Sequence, residues 1–209
     1  FVHFSTDYVF SGNRQDGYNE EDVPDPISAY GHSKALGEQR VLSIFGHPER
    51  SEGSRDSSVT ALPQNDSMAR WYLIRTSKLF GSAGTGATSK KSFPEMMIGF
   101  AKAKGRIEAI NAEAGSPTYV KDLVEAVCRV IDGGVSSGIY HITNNGTCTW
   151  YECAKAAVEF AGVQAEVVPV GPEHFFRKAK RPARVVLLNT KLPPLRSWQE
   201  ALREFLTRA

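Results

Sequence analysis

The sequence predicts an α/β fold in which helices pack against a parallel sheet. Short runs rich in aliphatic and aromatic residues alternate along the chain with segments whose apolar residues recur at helical spacing. The first strand-like run, residues 1–10, is apolar on both faces, which is typical of strands buried inside a parallel sheet. The 209 residues are enough for one ordinary domain or for one and a half, and no internal repeat is visible.

The first predicted strand is FVHFSTDYVF, residues 1–10, and a Ser-Gly turn follows it. Residues 13–27 are polar and contain prolines, so we predict a loop there. Ser28 is a suitable N-cap for a helix that runs to about Phe45 and has Gly46 beyond its end.

The middle of the chain begins with a polar segment. Residues 46–68 contain few large apolar side chains, and we predict a flexible insertion there. A second apolar strand, RWYLIRTSKLFG, occupies residues 70–81 and leads into a glycine-rich loop. Further strands are predicted in RIEAI, GIYHIT and AEVVPV. Further helices are predicted at residues 93–104, around an apolar stripe of Leu123, Val127, Val130 and Ile131, in TWYECAKAAVEFAG and in SWQEALREFLTRA.

The composition argues against several classes of function. The formal net charge is only +2, and no run of basic residues interleaved with aromatic ones predicts a nucleic-acid partner. No apolar run approaches the roughly 18 residues that cross a bilayer, and no signal peptide is recognisable. We therefore expect a cytoplasmic protein that does not enter a membrane. The chain begins with Phe1 rather than Met, which suggests a fragment or a processed chain.

The cysteines and histidines predict neither a disulfide framework nor a metal site. Cys128, Cys148 and Cys153 are odd in number and include no C-x-x-C pair, and the five histidines lack ligand spacing. We expect all three cysteines to be small core residues in a reducing compartment.

Two residues near the start of the first helix suggest proton-transfer chemistry. Tyr30 and Lys34 are four residues apart in SAYGHSKALGE, which places them on one helix face. A phenol beside an ammonium group can give a proton to an oxyanion formed by hydride transfer, because the cation favours the phenolate. Thr6 lies 24 residues upstream of Tyr30, at the carboxyl end of the first strand, where ligands bind in open α/β sheets.

This hydroxyl, phenol and lysine, in that order and spacing, resemble the catalytic triad of the short-chain dehydrogenase/reductases. Longer stretches resemble the dTDP-4-dehydrorhamnose reductase family, over nearly the whole chain except residues 46–68. They are FSTDYVFSG, YNEEDVPDPISAYGHSKALGEQRV, IRTSKLFG, GSPTYVKDL, GIYHITNNGTCTWYECA, RPARVVLLNTKL and LRSWQEALREFL. The resemblance implies an NADPH- or NADH-dependent oxidoreductase that reduces the C4 ketone of dTDP-4-dehydro-6-deoxy-L-mannose to dTDP-L-rhamnose, for rhamnose and cell-surface polysaccharide biosynthesis.

The family pattern also implies a role for each site residue. Tyr30 would protonate the C4 oxygen, and Lys34 would assist Tyr30 and hydrogen-bond the nicotinamide ribose of the cofactor. Thr6 would hydrogen-bond the carbonyl oxygen where charge develops. Thr6 and Asp7 match a substrate-contacting pair, and Tyr8 would line the sugar pocket. Two alternatives stay open: Asp7 as a carboxylate that caps a turn, and Tyr8 as a core residue.

Three positions depart from the family pattern. Lys78 stands where family members often have a tryptophan that stacks on the sugar, and a lysine there could instead meet the anionic diphosphate or lie in solvent. The family's Asp-Gln step before GSPT is Ala112-Glu113 here, and its Asn-Ser after RP is replaced by Arg-Val. Arg181 and Arg184 could hold a diphosphate. We expect Lys78 and Arg181 to bind substrate, and Lys78 leaves the identity of the sugar open.

The implied fold is a Rossmann-like, doubly wound parallel sheet that lacks its N-terminal half, with a small α/β C-terminal substrate-binding portion. Family members begin with a glycine-rich turn that holds the cofactor pyrophosphate, and no such segment precedes Phe1. We expect residues 1–92 to be the C-terminal part of the NAD(P)-binding domain. Residues 93–209 would be mainly the substrate-binding portion, with some segments returning to the first sheet. The expected partner is a nucleotide sugar, and the family pattern is compatible with a homodimer and with magnesium.

The sequence leaves three other hypotheses about function open. One is a related sugar-nucleotide epimerase or dehydratase, although a dehydratase would carry an acidic residue at Tyr8. The second is a regulatory subunit that binds the cofactor without turnover, and the retention of Thr6, Tyr30 and Lys34 argues against it. The third is that the chain alone neither folds fully nor binds NADPH, because an incomplete sheet would expose a strand edge and an apolar face.

Overall fold

The computed structural model describes residues 1–46, 70–84, 86 and 89–208. The insertion predicted at residues 46–68 lies outside these residues, apart from Gly46. Within them the helices are α1 (Ala29–Phe45), α2 (Phe93–Lys104), α3 (Val120–Asp132), α4 (Trp150–Phe160) and α5 (Trp198–Arg208). The strands are β1 (Val2–Thr6), β2 (Tyr72–Thr76), β3 (Leu79–Phe80), β4 (Arg106–Ile110), β5 (Ala114–Gly115), β6 (Thr118–Tyr119), β7 (Gly138–His141), β8 (Cys148–Thr149), β9 (Glu166–Val170) and β10 (Arg184–Val185). None of the described helices is long and apolar enough to cross a bilayer.

A parallel sheet with the strand order β1-β2-β7 confirms the predicted fold class. Thr6 at the end of β1 is paired with Thr76 at the end of β2, and Arg75 of β2 is paired with His141 at the end of β7. Because the three strands run the same way, their carboxyl ends meet at one edge of the sheet. In open α/β sheets this edge is where ligands bind.

The first strand is shorter and more exposed than predicted. Residues Asp7–Val9 form a turn of 3₁₀ helix, and the Thr6 side chain caps it by accepting a hydrogen bond from the Tyr8 backbone N–H. The prediction that β1 is buried on both faces is wrong for Phe4, which is 46% exposed. Ser5 points towards α1, and its neighbour Phe4 points to the opposite face, where the buried cluster is centred on β2, β7 and α3.

Helix α1 has the predicted boundaries. The Ser28 side chain accepts a hydrogen bond from the Gly31 N–H at 3.1 Å, and Gly46 donates to the Leu42 carbonyl at the other end. The same helix contributes to a buried ion pair between Glu38 and Arg75 of β2. Both side chains are 1% exposed, and the Arg75 Nη2 to Glu38 Oε2 distance is 2.7 Å.

The ion pair is the centre of a buried polar network. Ser5 donates a hydrogen bond to Glu38, and Arg75 Nη1 lies 3.4 Å from both His141 Nε2 and the Glu20 carbonyl oxygen. Burial and the charge of Arg75 lower the pKa of His141 to about 4. His141 is therefore neutral at neutral pH, and the network joins α1, β1, β2 and β7 around one guanidinium.

The predicted second strand is two strands in the structure. β2 ends at Thr76, and the chain turns at Lys78, whose φ of 43° is in the left-handed region that residues other than glycine seldom adopt. After this turn β3 pairs in parallel with β6. The break brings Ser77 and Lys78 to the carboxyl edge of the main sheet.

The C-terminal part has its own small sheet and core. β4 and β9 form a parallel pair, and α2 and α4 pack against it through a cluster that includes Ala101, Ile107 and Val158. The predicted stripe on α3 is buried except for Ile131, which is 41% exposed. The last helix, α5, is anchored by three side chains that are buried in the same core cluster as Phe80: they are Trp198, Leu202 and Phe205.

The cysteine prediction is correct for two residues of three. Cys148 and Cys153 are buried in the core and free, and Cys128 is also free. Cys128 is exposed, contrary to prediction, because it lies on the outer face of α3 next to the buried Val127.

Candidate active site

A cavity of about 230 Å³ lies at the carboxyl edge of the main sheet. It contains five of the seven predicted site residues: they are Thr6, Asp7, Tyr8, Tyr30 and Lys78. Lys34 lies one helical turn beyond Tyr30, and Arg181 lines an adjoining groove. The structure therefore brings together predicted site residues that are up to 72 residues apart in the sequence, since Thr6 and Lys78 line the same cavity.

A chain of hydrogen bonds fixes the polar floor of this cavity. The Thr6 hydroxyl donates to Asp7 Oδ1 at 2.9 Å, and the Ser77 hydroxyl donates to Asp7 Oδ2 at 2.6 Å. Burial raises the pKa of Asp7, and the hydrogen bonds from Ser77 and Thr6 and the charge of Lys78 oppose that rise. To donate to a ligand oxygen, the Thr6 hydroxyl would turn its hydrogen away from Asp7.

The buried carboxyl of Asp7 is expected to make stability depend on pH. The pKa of Asp7 is raised in the folded state above the ordinary aspartate pKa of 3.8. Ionisation of Asp7 therefore destabilises the fold as the pH rises above 3.8. We expect Asp7→Asn to raise the free energy of unfolding at pH 7, with little difference from the wild type at pH 3. Thermal melts from pH 3 to 8 measure this difference.

The matched control is Asp16→Asn, because Asp16 lies exposed in a loop. This variant is expected to follow the wild type across the pH range. A stability difference between Asp7→Asn and the wild type that did not grow with pH would contradict the assignment of a raised pKa to Asp7.

Tyr30 stands at the entrance of the cavity. It lies in the first turn of α1, its side chain is 52% exposed, and its ring meets that of Tyr8 edge-on with centroids 5.8 Å apart. Burial raises the pKa of Tyr8, and the charge of Arg181 opposes that rise. Lys34 Nζ donates to the Phe4 carbonyl at 3.3 Å, which leaves N–H donors of the ammonium for a ligand.

The close approach of α1 to the turn after β1 depends on Gly31. A Cβ at this position would lie against the backbone carbonyl of Tyr8, well inside contact distance. We expect Gly31→Ala to destabilise the fold by about 1–3 kcal/mol, because neither backbone can shift without moving the site. Denaturant titration measures the change.

Gly99→Ala is the matched control, since Gly99 lies in α2 and no atom lies within 4 Å of the position its Cβ would take. That substitution should stabilise the helix by up to about 1 kcal/mol. Equal changes in the free energy of unfolding for Gly31→Ala and Gly99→Ala would contradict the claim that α1 needs a glycine at position 31 to approach the turn after β1.

Lys78 is not a solvated side chain. Its Nζ donates to the carbonyls of Glu113 at 2.9 Å and Cys148 at 3.0 Å, and lies 4.3 Å from the centre of the Trp150 ring. Burial lowers the pKa of Lys78, although nearby acidic groups including Asp7 oppose that change. The assignment of Lys78 to substrate binding stays a prediction. The two carbonyls leave one N–H of the ammonium that no other described residue accepts.

Glu113 and Trp150 line the cavity and were not among the predicted site residues. Glu113 is 7% exposed and accepts hydrogen bonds from Arg177 Nη1 at 2.5 Å and from Trp150 Nε1 at 3.0 Å. Arg181 Nη1 lies 4.0 Å from the same carboxylate. Glu113 stood out in the sequence only as a departure from the family pattern, and nothing in the sequence singled out Trp150. Arg184 donates to the Gln15 carbonyl at 3.1 Å and lines neither the cavity nor the groove.

A groove of about 730 Å³ adjoins the cavity. One side is apolar, with Phe93, Met96 and Phe100 from α2 and Phe175 from the segment after β9. Arg177 and Arg181 also line it. The arrangement can accept a long ligand with an apolar or aromatic end and an anionic middle. Among the described residues, no group of three or more His, Cys, Asp or Glu side chains could hold a metal ion.

The chain is similar to several known proteins. A family model described as the RmlD substrate binding domain matches residues 1–49 and 58–209. The spore coat polysaccharide biosynthesis protein SpsK of Bacillus subtilis is 36% identical over 210 residues, which are 99% of this chain and 63% of that protein. A dTDP-4-dehydrorhamnose reductase of Mycolicibacterium smegmatis is 34% identical over 210 residues, covering 97% of this chain and 56% of the relative.

Among solved structures, a dTDP-4-dehydrorhamnose reductase from Bacillus anthracis in complex with NADP superposes with a TM-score of 0.81. It is 32% identical, and the match covers 100% of this chain and 65% of the solved chain. The match confirms the Rossmann-like α/β fold. This chain spans less than two thirds of the length of these relatives. Because the family model matches nearly every residue, the chain belongs to the family of the RmlD substrate binding domain.

Proposed function

We propose that the native protein reduces the C4 ketone of dTDP-4-dehydro-6-deoxy-L-mannose to dTDP-L-rhamnose with NADPH or NADH. The observation that carries this proposal is the cavity in which Thr6, Asp7 and Tyr30 meet at the carboxyl edge of a parallel sheet. The similarity to curated and solved dTDP-4-dehydrorhamnose reductases supports it.

The residues present fit the ribose end of a nicotinamide cofactor. Lys34 has N–H donors that no described residue uses, and it follows Tyr30 by one turn on the same helix. When bound, the cofactor supplies the hydride. Lys34 would hold the ribose one helical turn from Tyr30.

Tyr30 and Thr6 would act on the ketone oxygen. The exposed Tyr30 hydroxyl can donate its proton to the C4 oxygen as negative charge develops there. The Thr6 hydroxyl, once turned away from Asp7, can donate a second hydrogen bond to the same oxygen. The alcohol product would leave Tyr30 deprotonated, and a proton from solvent would restore it.

The groove supports a nucleoside diphosphate as the rest of the substrate. Its aromatic and methionine side chains suit a base, and Arg177 and Arg181 suit the diphosphate. Glu113 balances only part of their charge, because one carboxylate faces two guanidinium groups. This arrangement also supports the predicted division, with residues 1–92 serving the cofactor and residues 93–209 mainly the substrate. The pairing of β7 with β2 agrees with a segment that returns to the first sheet.

The test is a turnover assay on the native protein with a panel of dTDP-4-keto-6-deoxy sugars and each nicotinamide cofactor. We expect the cofactor to be oxidised in step with formation of dTDP-L-rhamnose. Conversion of a sugar nucleotide without net cofactor oxidation would instead indicate an epimerase. Binding of cofactor without any turnover would indicate a regulatory subunit, and either result would overturn the proposal.

A further inference from the structure

Trp150 is the only described residue that lines both the cavity and the groove. It is the first residue of α4, directly after β8, and the Thr149 side chain caps this helix start. Its side chain is half-buried. A ligand that reaches from Tyr30 in the cavity to Phe100 in the groove would pass the indole ring.

The indole is held by contacts on several sides. Its Nε1 donates to Glu113 Oε2 at 3.0 Å, and the ring centres of Trp150 and Phe93 lie 4.6 Å apart with the rings tilted by 57°. Lys78 Nζ lies 4.3 Å from the ring centre, and two backbone carbonyls hold that ammonium in turn. A ring held in this way loses little side-chain freedom when a ligand binds.

Glu113 links the indole to the cationic part of the groove. One carboxylate oxygen accepts from Trp150 and the other accepts from Arg177. Glu113 is almost fully buried and therefore has little freedom to leave either partner. Its position therefore holds the aromatic ring and the guanidinium group on the two oxygens of one carboxylate.

We infer that Trp150 contacts the sugar ring of the substrate and sets which sugar the cavity accepts, with Glu113 as its positioning residue. This inference rests on the proposed function for the identity of the ligand. It gives a physical reason for the lysine at position 78: Lys78 supports an aromatic wall that Trp150 provides, whereas the family pattern often has the aromatic residue at position 78 itself.

The test compares two ligands by calorimetry on the native protein: dTDP-L-rhamnose, and dTDP, which lacks the sugar. We expect Trp150→Leu to weaken binding of dTDP-L-rhamnose by about tenfold or more, and to change dTDP binding by less than about threefold. The control is Trp71→Phe, because Trp71 precedes β2 at the end of the sheet away from the cavity. It should leave both affinities unchanged.

Equal losses for both ligands, or no loss for either, would overturn the inference. If Trp150→Leu does not fold, binding of dTDP-L-rhamnose and dTDP is compared in Trp150→Phe instead. This variant keeps an aromatic ring and loses the N–H that bonds to Glu113. A reduced preference for the sugar nucleotide supports the inference, and an unchanged preference overturns it.

Glu113→Gln tests the positioning role. Its amide can still accept from the indole N–H but no longer pairs as an anion with Arg177, so we expect the preference for dTDP-L-rhamnose over dTDP to fall. An unchanged preference would overturn the role of Glu113. These measurements read binding rather than turnover. A protein without turnover whose sugar preference depended on Trp150 would contradict the reductase proposal and support the inference.

Discussion

Replacing Tyr30 with phenylalanine is expected to lower kcat of the native protein by about 100- to 10,000-fold, the usual contribution of a positioned general acid. The hydroxyl is the only group removed, and the ring contact with Tyr8 is kept. Because the side chain is half exposed, the fold should tolerate the change. Steady-state kinetics with the cofactor and the dTDP-4-keto sugar measure the effect, and KM should change much less than kcat.

Tyr151→Phe is the matched control, since Tyr151 lies on α4 and packs against the C-terminal core rather than the cavity. It should retain wild-type turnover. Turnover by Tyr30→Phe within a few fold of the wild type would show that another group donates the proton.

Replacing Arg75 with alanine is expected to have the largest effect on stability. It would leave the carboxylate of Glu38 buried without its partner, and removal of one member of a buried ion pair costs about 3–5 kcal/mol. A domain of this size is stable by only about 5–15 kcal/mol, so the variant should be partly unfolded or melt at a much lower temperature. Circular dichroism and urea titration measure the loss.

Arg106→Ala is the control for Arg75. Arg106 is paired with Glu108 and Glu166, but its side chain is 55% exposed, and exposed pairs contribute only about 0–1 kcal/mol. A second comparison replaces both Arg75 and Glu38 by apolar residues, which should cost less than the single change. Equal stabilities of Arg75→Ala and Arg106→Ala would contradict the central role of the buried network.

Local signals were sufficient to predict most of the helices and strands. Helix α1 lies between Ser28 and Gly46 as predicted, because the side chain that caps it and the glycine that ends it are both local to the helix. The break after β2 could not be predicted from local signals. Lys78 adopts its left-handed φ while its ammonium bonds to the carbonyls of Glu113 and Cys148, which are 35 and 70 residues away.

The candidate site was predicted in part. The carboxyl end of β1 and the spacing of Tyr30 from Thr6 were visible in the sequence, and both residues line the cavity. Glu113 and Trp150 were not predicted, because their roles depend on partners distant in the chain. Glu113 bonds to Trp150 across 37 residues and to Arg177 across 64, and such pairs leave no local pattern.

The most direct test of the account follows the transferred hydrogen. The native protein would be supplied with the dTDP-4-keto sugar and a nicotinamide cofactor deuterated at the hydride position, and the product would be analysed by NMR. We predict deuterium at C4 of dTDP-L-rhamnose, and loss of this product in Tyr30→Phe. Deuterium that stays on the cofactor while the sugar is unchanged would contradict the central claim that this chain forms the site of a ketoreductase.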